Sequence, residues 1–141
     1  MQPMPFALQR LVFFALLLGM VAYTVVTAVL LQTFGKGLAE SPIAGLDDVA
    51  VFAGLAMATG AMLVRRSLQR RAELLPAAER SHARFRATLV PLAILEGGCL
   101  LGTTTWLLNG RPVPGLVVGM VLLSLAVLIV PMRDPDADRA D

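Results

Sequence analysis

One side chain in this sequence stands where ordinary chemistry cannot account for it. Glu96 lies nine positions into Thr88–Leu108, a run of 21 residues with no other charge. If that run is a helix, its carboxyl sits about 3 Å from the run's midpoint at 1.5 Å per residue. Holding an ionised carboxylate there costs roughly 2.5–3.5 kcal/mol on insertion scales. The neutral, protonated acid is therefore the expected state, donating a hydrogen bond to a neighbouring helix. Counting inward from the ends of the other apolar runs brings Glu96 level with Gly19, Met20, Met57 and Ser124. Ser124 is the first candidate partner, Thr59 the second, and Tyr23 lies within about a turn. Such an acid either handles a proton or an ion, or simply joins helices.

The rest of the chain offers that acid no catalytic company. His82 is the lone histidine and falls in a charged stretch, and Cys99 is the lone cysteine. No His/Cys/carboxylate cluster has the spacing of a metal site, and no base–nucleophile pair accompanies Glu96. The sequence is accordingly read as non-enzymatic, with neither cofactor nor metal. A single cysteine also excludes an intramolecular disulfide, so it carries no information on compartment.

What positions Glu96 is a membrane composition. Apolar residues are 57% of 141, against about 45–50% in soluble domains, and charged residues 16% against about 25%. Four apolar runs emerge, at about residues 11–31, 46–64, 88–108 and 113–132, each near the roughly 20 residues that cross a bilayer as helix. The first begins after Arg10, and Val26-Thr27-Ala28 resembles a leader cleavage pattern. The run continues past that site and is long for a leader, so it is read as a span. Asp47 and Asp48 suit the start of the second helix.

The arginines give direction. Arg65, Arg66, Arg70, Arg71, Arg80, Arg84 and Arg86 lie between the second and third runs, with Arg10, Arg133 and Arg139 on the same side. Only Lys36 and Arg111 lie on the other. Positive loops stay cytoplasmic, which predicts N-in and C-in ends and a cytoplasmic Arg-rich loop over 65–87. Leu68, Ala72 and Leu75 recur at helical spacing, so the second helix should run about three turns beyond the membrane until Pro76 stops it. The arginines are read as a topology signal in contact with anionic lipid. The tail Asp134–Asp138 reads as a short solvated end.

Small residues mark the two middle spans. Gly98 and Gly102 are four apart on the third, and Ala50, Gly54 and Ala58, with Ala56 and Gly60, repeat the device on the second. Gly54, Gly60, Gly98 and Gly102 are thus the expected helix-packing residues, the outer spans being smoother, and Pro91 should bend the third helix. Leu11–Gly19 also echoes Leu89–Gly97, with Leu, Val, Ala, Leu and Gly recurring in register and Leu18 standing where Glu96 stands.

The stretch Ala93-Ile94-Leu95-Glu96-Gly97-Gly98-Cys99-Leu100-Leu101-Gly102, with Trp106-Leu107-Leu108-Asn109-Gly110, resembles an uncharacterised group of small bacterial four-helix membrane proteins. Their third helix carries a similar Ala-x-x-Glu-Gly core, which implies the fold and no particular activity. The second span, Arg-rich loop and Glu96 helix are also similar, in order and direction, to the rotor-ring c subunit of rotary ATP synthases. That likeness implies a proton site at Glu96. The loop here is longer, the ring's glycine repeat is absent and two further spans flank the hairpin.

The reading is then a single domain over 1–141, an all-α integral membrane four-helix bundle of the bacterial inner membrane. Its partners are the lipid bilayer and another membrane protein or further copies of itself, not nucleic acid. It is expected to act as a non-catalytic membrane component, with proton handling at Glu96 as the alternative.

Overall fold

A computed structural model describes residues 6–131, of which the ordered elements are all helical and none is a strand. The helices are α1 (Phe6–Phe34), α2 (Leu46–Glu73), α3 (Ala77–Asn109) and α4 (Gly115–Ile129). Met132, Arg133, Arg139 and the acidic tail lie outside the described residues.

The helix ends follow from local chemistry. Gly110, at φ +69°, ends α3 by sending its N–H back to the Trp106 carbonyl at 2.8 Å, the left-handed closure that glycine adopts without steric cost. Gly35 closes α1 in the same way, 2.9 Å from the Leu31 carbonyl. Asp47 and Asp48 occupy the first turn of α2 and Arg70 and Arg71 its last, both matched to the helix dipole. Pro76 precedes α3, and its carbonyl accepts the N–H groups of Glu79 and Arg80 at 3.0 and 3.1 Å.

Two expectations change. The stretch 65–87 is not a loop: α2 and α3 form one long helical hairpin, broken only at Leu74–Pro76. The second helix overruns the apolar stretch as foreseen, but so does the third, because nothing between Ala77 and Ala87 disfavours helix. The fourth apolar run is helical over only 15 residues, about 22 Å at 1.5 Å per residue. Val130 is extended (φ −68°, ψ 122°), the conformation favoured before a proline. Three helices, α1, α2 and α3, are long and apolar enough to cross a membrane, and α4 is a shorter apolar helix.

Packing makes α3 the hub. It contacts all three other helices, α4 also touches α1 and α2, and α1 and α2 do not meet. Half of the most apolar window of α3 is buried, against 17% for α1 and for α2. The core is Phe13, Leu17 and Met20 of α1 with Ala61, Leu92, Leu95, Cys99, Leu122, Ala126 and Ile129. The outward faces are equally apolar: Leu11, Leu18, Phe52, Leu63 and Leu128 are all more than 60% exposed.

Among the helices, the backbones approach most closely where α3 meets α4. A Cβ at Gly102 would stand 2.7 Å from the Gly115 carbonyl and 2.9 Å from the Gly119 nitrogen. Conversely, a Cβ at Gly115 would meet the Gly102 carbonyl at 2.6 Å. The two backbones touch, as small residues permit between membrane helices. Gly98 takes in Leu122 of α4 and Met57 of α2, and Gly54 takes in Val118 of α4. The fourth helix is therefore not a smooth outer span, since its own Gly115 and Gly119 complete the seam. Gly60, in contrast, faces open space.

This divides the four expected packing glycines. Gly102→Val should lower the thermal unfolding midpoint in detergent, the overpacking costing about 1–3 kcal/mol. Gly60→Ala should hold or slightly raise it, since alanine favours helix over glycine by roughly 0.5–1 kcal/mol. Equal loss in both variants would refute the assignment of the seam.

Candidate polar site

The inward edge of α1 is a single stripe: Gln9, Phe13, Leu17, Met20, Thr24 and Thr27 recur every three or four residues. All are buried except Thr24, which is half-buried. Along α3, Glu96, Cys99 and Thr103 follow the same spacing. The α1–α3 interface therefore changes character along its length. On the Arg-rich side of Glu96 it is apolar, built from Phe13, Leu17, Met20, Leu92 and Leu95, with Phe13 and Phe85 rings 5.5 Å apart. On the Asn109 side it carries hydroxyls and a thiol.

Glu96 is half-buried, with Oε1 3.9 Å from where a Cβ on Gly19 would stand. The level expected from depth counting thus coincides with Gly19. Among the described residues no hydrogen bond to its carboxyl is formed. Ser124 points outward on α4 among Leu116, Val117, Met120, Val121 and Leu125, its hydroxyl donating to the Met120 carbonyl at 2.8 Å. Thr59 is exposed on α2. The Tyr23 hydroxyl pairs with the Thr104 hydroxyl at 2.8 Å, tying α1 to α3. Depth counting fixes a level but not a rotation about the helix axis, so the structure brings none of these three hydroxyls to Glu96.

Other polar groups come closer. The Cys99 thiol, buried, lies beside Thr24 and Thr103 and within electrostatic range of Glu96. Several hydroxyls in the helices are satisfied by the carbonyl four residues back: Thr24 on Met20, Thr33 on Val29, Thr88 on Arg84 and Thr105 on Leu101. Thr27 and Thr103 are not. Both are fully buried, at 1% and 0% exposure, and neither Oγ1 has a partner of hydrogen-bond geometry. A thiol is too weak a donor or acceptor to serve Thr103 fully. The signal for this ladder was the three-and-four spacing of Thr24, Thr27, Cys99 and Thr103, which single hydropathy runs conceal.

A second polar cluster closes the Asn109 end. The carbonyls of Leu107 and Leu108, left free where α3 ends, accept the N–H groups of Leu38 and Ala39 at 3.0 and 3.1 Å. Asn109 is buried; its side-chain carbonyl accepts the Ile43 N–H at 3.0 Å and its amide donates to Asp47 at 3.0 Å. Asp47 therefore serves both the α2 dipole and this clamp. At the opposite end Arg65 donates to the terminal Ile129 carbonyl of α4 over a long 3.4 Å, and the Arg10 guanidinium lies 5.7 Å over the Phe14 ring. Among the described residues no group of three or more His, Cys, Asp or Glu could hold a metal ion.

No protein-family model matches the chain, and comparison with curated proteins and with solved structures gives no match either.

Asn109→Ala should destabilise the fold by about 0.5–1.5 kcal/mol, because the partly exposed Asp47 carboxylate and Ile43 N–H lose their partner. Thermal unfolding in detergent measures this, and an unchanged midpoint would remove the clamp from the account.

Proposed function

We propose that this chain is a multi-pass protein of the bacterial inner membrane, crossing it four times with both ends and the Arg-rich hairpin in the cytoplasm. On this reading it serves as a non-catalytic membrane component that works by packing against other chains. The observation that carries the membrane reading is the outward surface of α1, α2 and α3, apolar over lengths sufficient to span a bilayer. No water-facing protein presents Leu11, Leu18, Phe52, Leu63 and Leu128 together at low cost. The 15 residues of α4 fall short of the roughly 30 Å core. Arg65 answers this at one end by meeting the last carbonyl of α4, since an unpaired backbone group in lipid costs several kcal/mol.

Support for an assembly role comes from small residues left unused inside the fold. Gly60 and Gly97 face open space, and Ala56 and Ala93, four residues before each, are exposed. Such surfaces accept another helix closely. The lipid bilayer and a further membrane protein or second copy are the partners this implies. A second reading, proton handling at Glu96, is favoured by a carboxyl that forms no hydrogen bond among the described residues and stands beside Cys99 and Gly19. The resemblance to a rotor-ring subunit points the same way.

Two experiments test these readings. With Ser41→Cys and Gln69→Cys in separate chains, a membrane-impermeant maleimide on whole cells should label the first, and the second only after permeabilisation. The reverse pattern overturns the orientation. Affinity purification from native membranes should retain the same co-purifying chains in Glu96→Gln as in the unaltered protein, because the amide keeps the shape of the neutral acid and leaves the small-residue surfaces unchanged. Loss of the partners with that one change would count against a purely packing role.

A further inference from the structure

We propose that the Glu96 carboxyl exchanges its proton with one face of the membrane only, the face bearing Asn109, along a hydrated ladder formed by Thr24, Thr27, Cys99 and Thr103. The inference rests on the second reading above, proton handling at Glu96, and specifies its route.

Two observations carry it. The first is the pair of buried hydroxyls, Thr27 Oγ1 and Thr103 Oγ1, with no hydrogen-bond partner. Five other helix hydroxyls, those of Thr24, Thr33, Thr88, Thr105 and Ser124, turn back to their own backbone, and these two do not. A buried hydroxyl without a partner costs about 1–3 kcal/mol, a loss that water removes by bridging such groups. α1 touches only α3 and α4, so buried Thr27 faces that pair of helices, and Thr103 Oγ1 lies 3.0 Å from the Cβ position of Gly119 on α4. The Cys99 thiol lies beside Thr24 and Thr103 and within electrostatic range of Glu96.

The second observation is the asymmetry about Glu96. Toward Asn109, α3 offers Cys99, Thr103, Thr104 and Thr105, and α1 offers Tyr23, Thr24 and Thr27. Toward the arginines, α3 has no polar residue from Leu89 to Leu95, and α1 none from Leu11 to Ala22. Phe13, Leu17, Met20, Leu92 and Leu95, all buried, fill that half. Protons move through hydrogen-bonded water and hydroxyls and not through packed hydrocarbon, so the carboxyl has one open side.

The titratable groups around it are few. Cys99 on its own helix and Tyr23 on α1 are the near ones. Between Asp48 and Arg65 on α2, and along all of α4, there are none. Charged groups gather only at the ends: Asp47 at the Asn109 end, and Arg10, Arg65 and Arg84 at the other.

The test uses the full chain in sealed proteoliposomes, with orientation read from trypsin access to the Arg65–Arg86 hairpin. Dicyclohexylcarbodiimide crosses the membrane and modifies only a protonated buried carboxyl, so the pH on each side can be set separately. Intact mass reports the adduct, and Glu96→Gln sets the blank. Labelling should fade as pH rises on the Asn109 face and ignore pH on the arginine face. Thr27→Val with Thr103→Val should slow that response at least about tenfold, the scale on which a lost proton-transfer step acts. Thr27→Ser with Thr103→Ser should restore it, which separates the ladder from misfolding. Control from the arginine face, or an unchanged response in the valine pair, overturns the ladder and leaves the proton-handling reading standing. Absence of labelling at every pH overturns both. Release of the chain by alkaline carbonate overturns the membrane reading beneath them.

Discussion

Everything in this fold is arranged around the place where the backbones of α3 and α4 touch. Gly102 meets Gly115 and Gly119 with no room for a Cβ on either side. Between helices in lipid there is little hydrophobic gain to be had, so close packing and polar pairing must hold them together. That contact brings Leu122 into the notch at Gly98 and Val118 into the notch at Gly54, which draws α2 onto the pair. α1 is then laid along the remaining side of α3. The buried residues belong mainly to α3 and α4 and to the single edges that α1 and α2 turn toward them.

The second organising rule is that a buried polar group must find a partner within the protein. Several hydroxyls do so by the shortest route, returning to the carbonyl one turn earlier. Tyr23 reaches Thr104 across the α1–α3 interface, and Arg65 reaches the end of α4. The buried hydroxyls without a partner are Thr27 and Thr103. Both fall on the Asn109 side of Glu96 along their helices, and that makes the region a candidate site.

Much of the architecture was legible in the sequence. Uncharged runs located the helices, Pro76 marked the end of the second, and Glu96 was conspicuous for its charge alone. The helical continuation of α3 through residues 77–87 was not legible, because arginine-rich segments read as loops although arginine is a good helix former. The place of α4 in the seam was hidden because its glycines sit at the edge of an apolar run. The partners suggested for Glu96 failed for a geometric reason. Ser124 shares its depth but faces away, and rotation about a helix axis is set by which small residues meet which neighbours. That information is distributed over Gly54, Gly98, Gly102, Gly115 and Gly119 and belongs to no one of them.

The clamp at Asn109 bears on how the chain comes to be built. The connection between α1 and α2 takes its shape from the last turn of α3: Leu38 and Ala39 donate to Leu107 and Leu108, and Ile43 and Asp47 engage Asn109. α1 and α2 make no contact of their own. The first hairpin therefore has nothing of its own to close it, and its loop takes shape only once the end of the third helix is in place to receive it. The chain is made from the first helix onward, but this connection is folded backwards, from the third helix onto the first two.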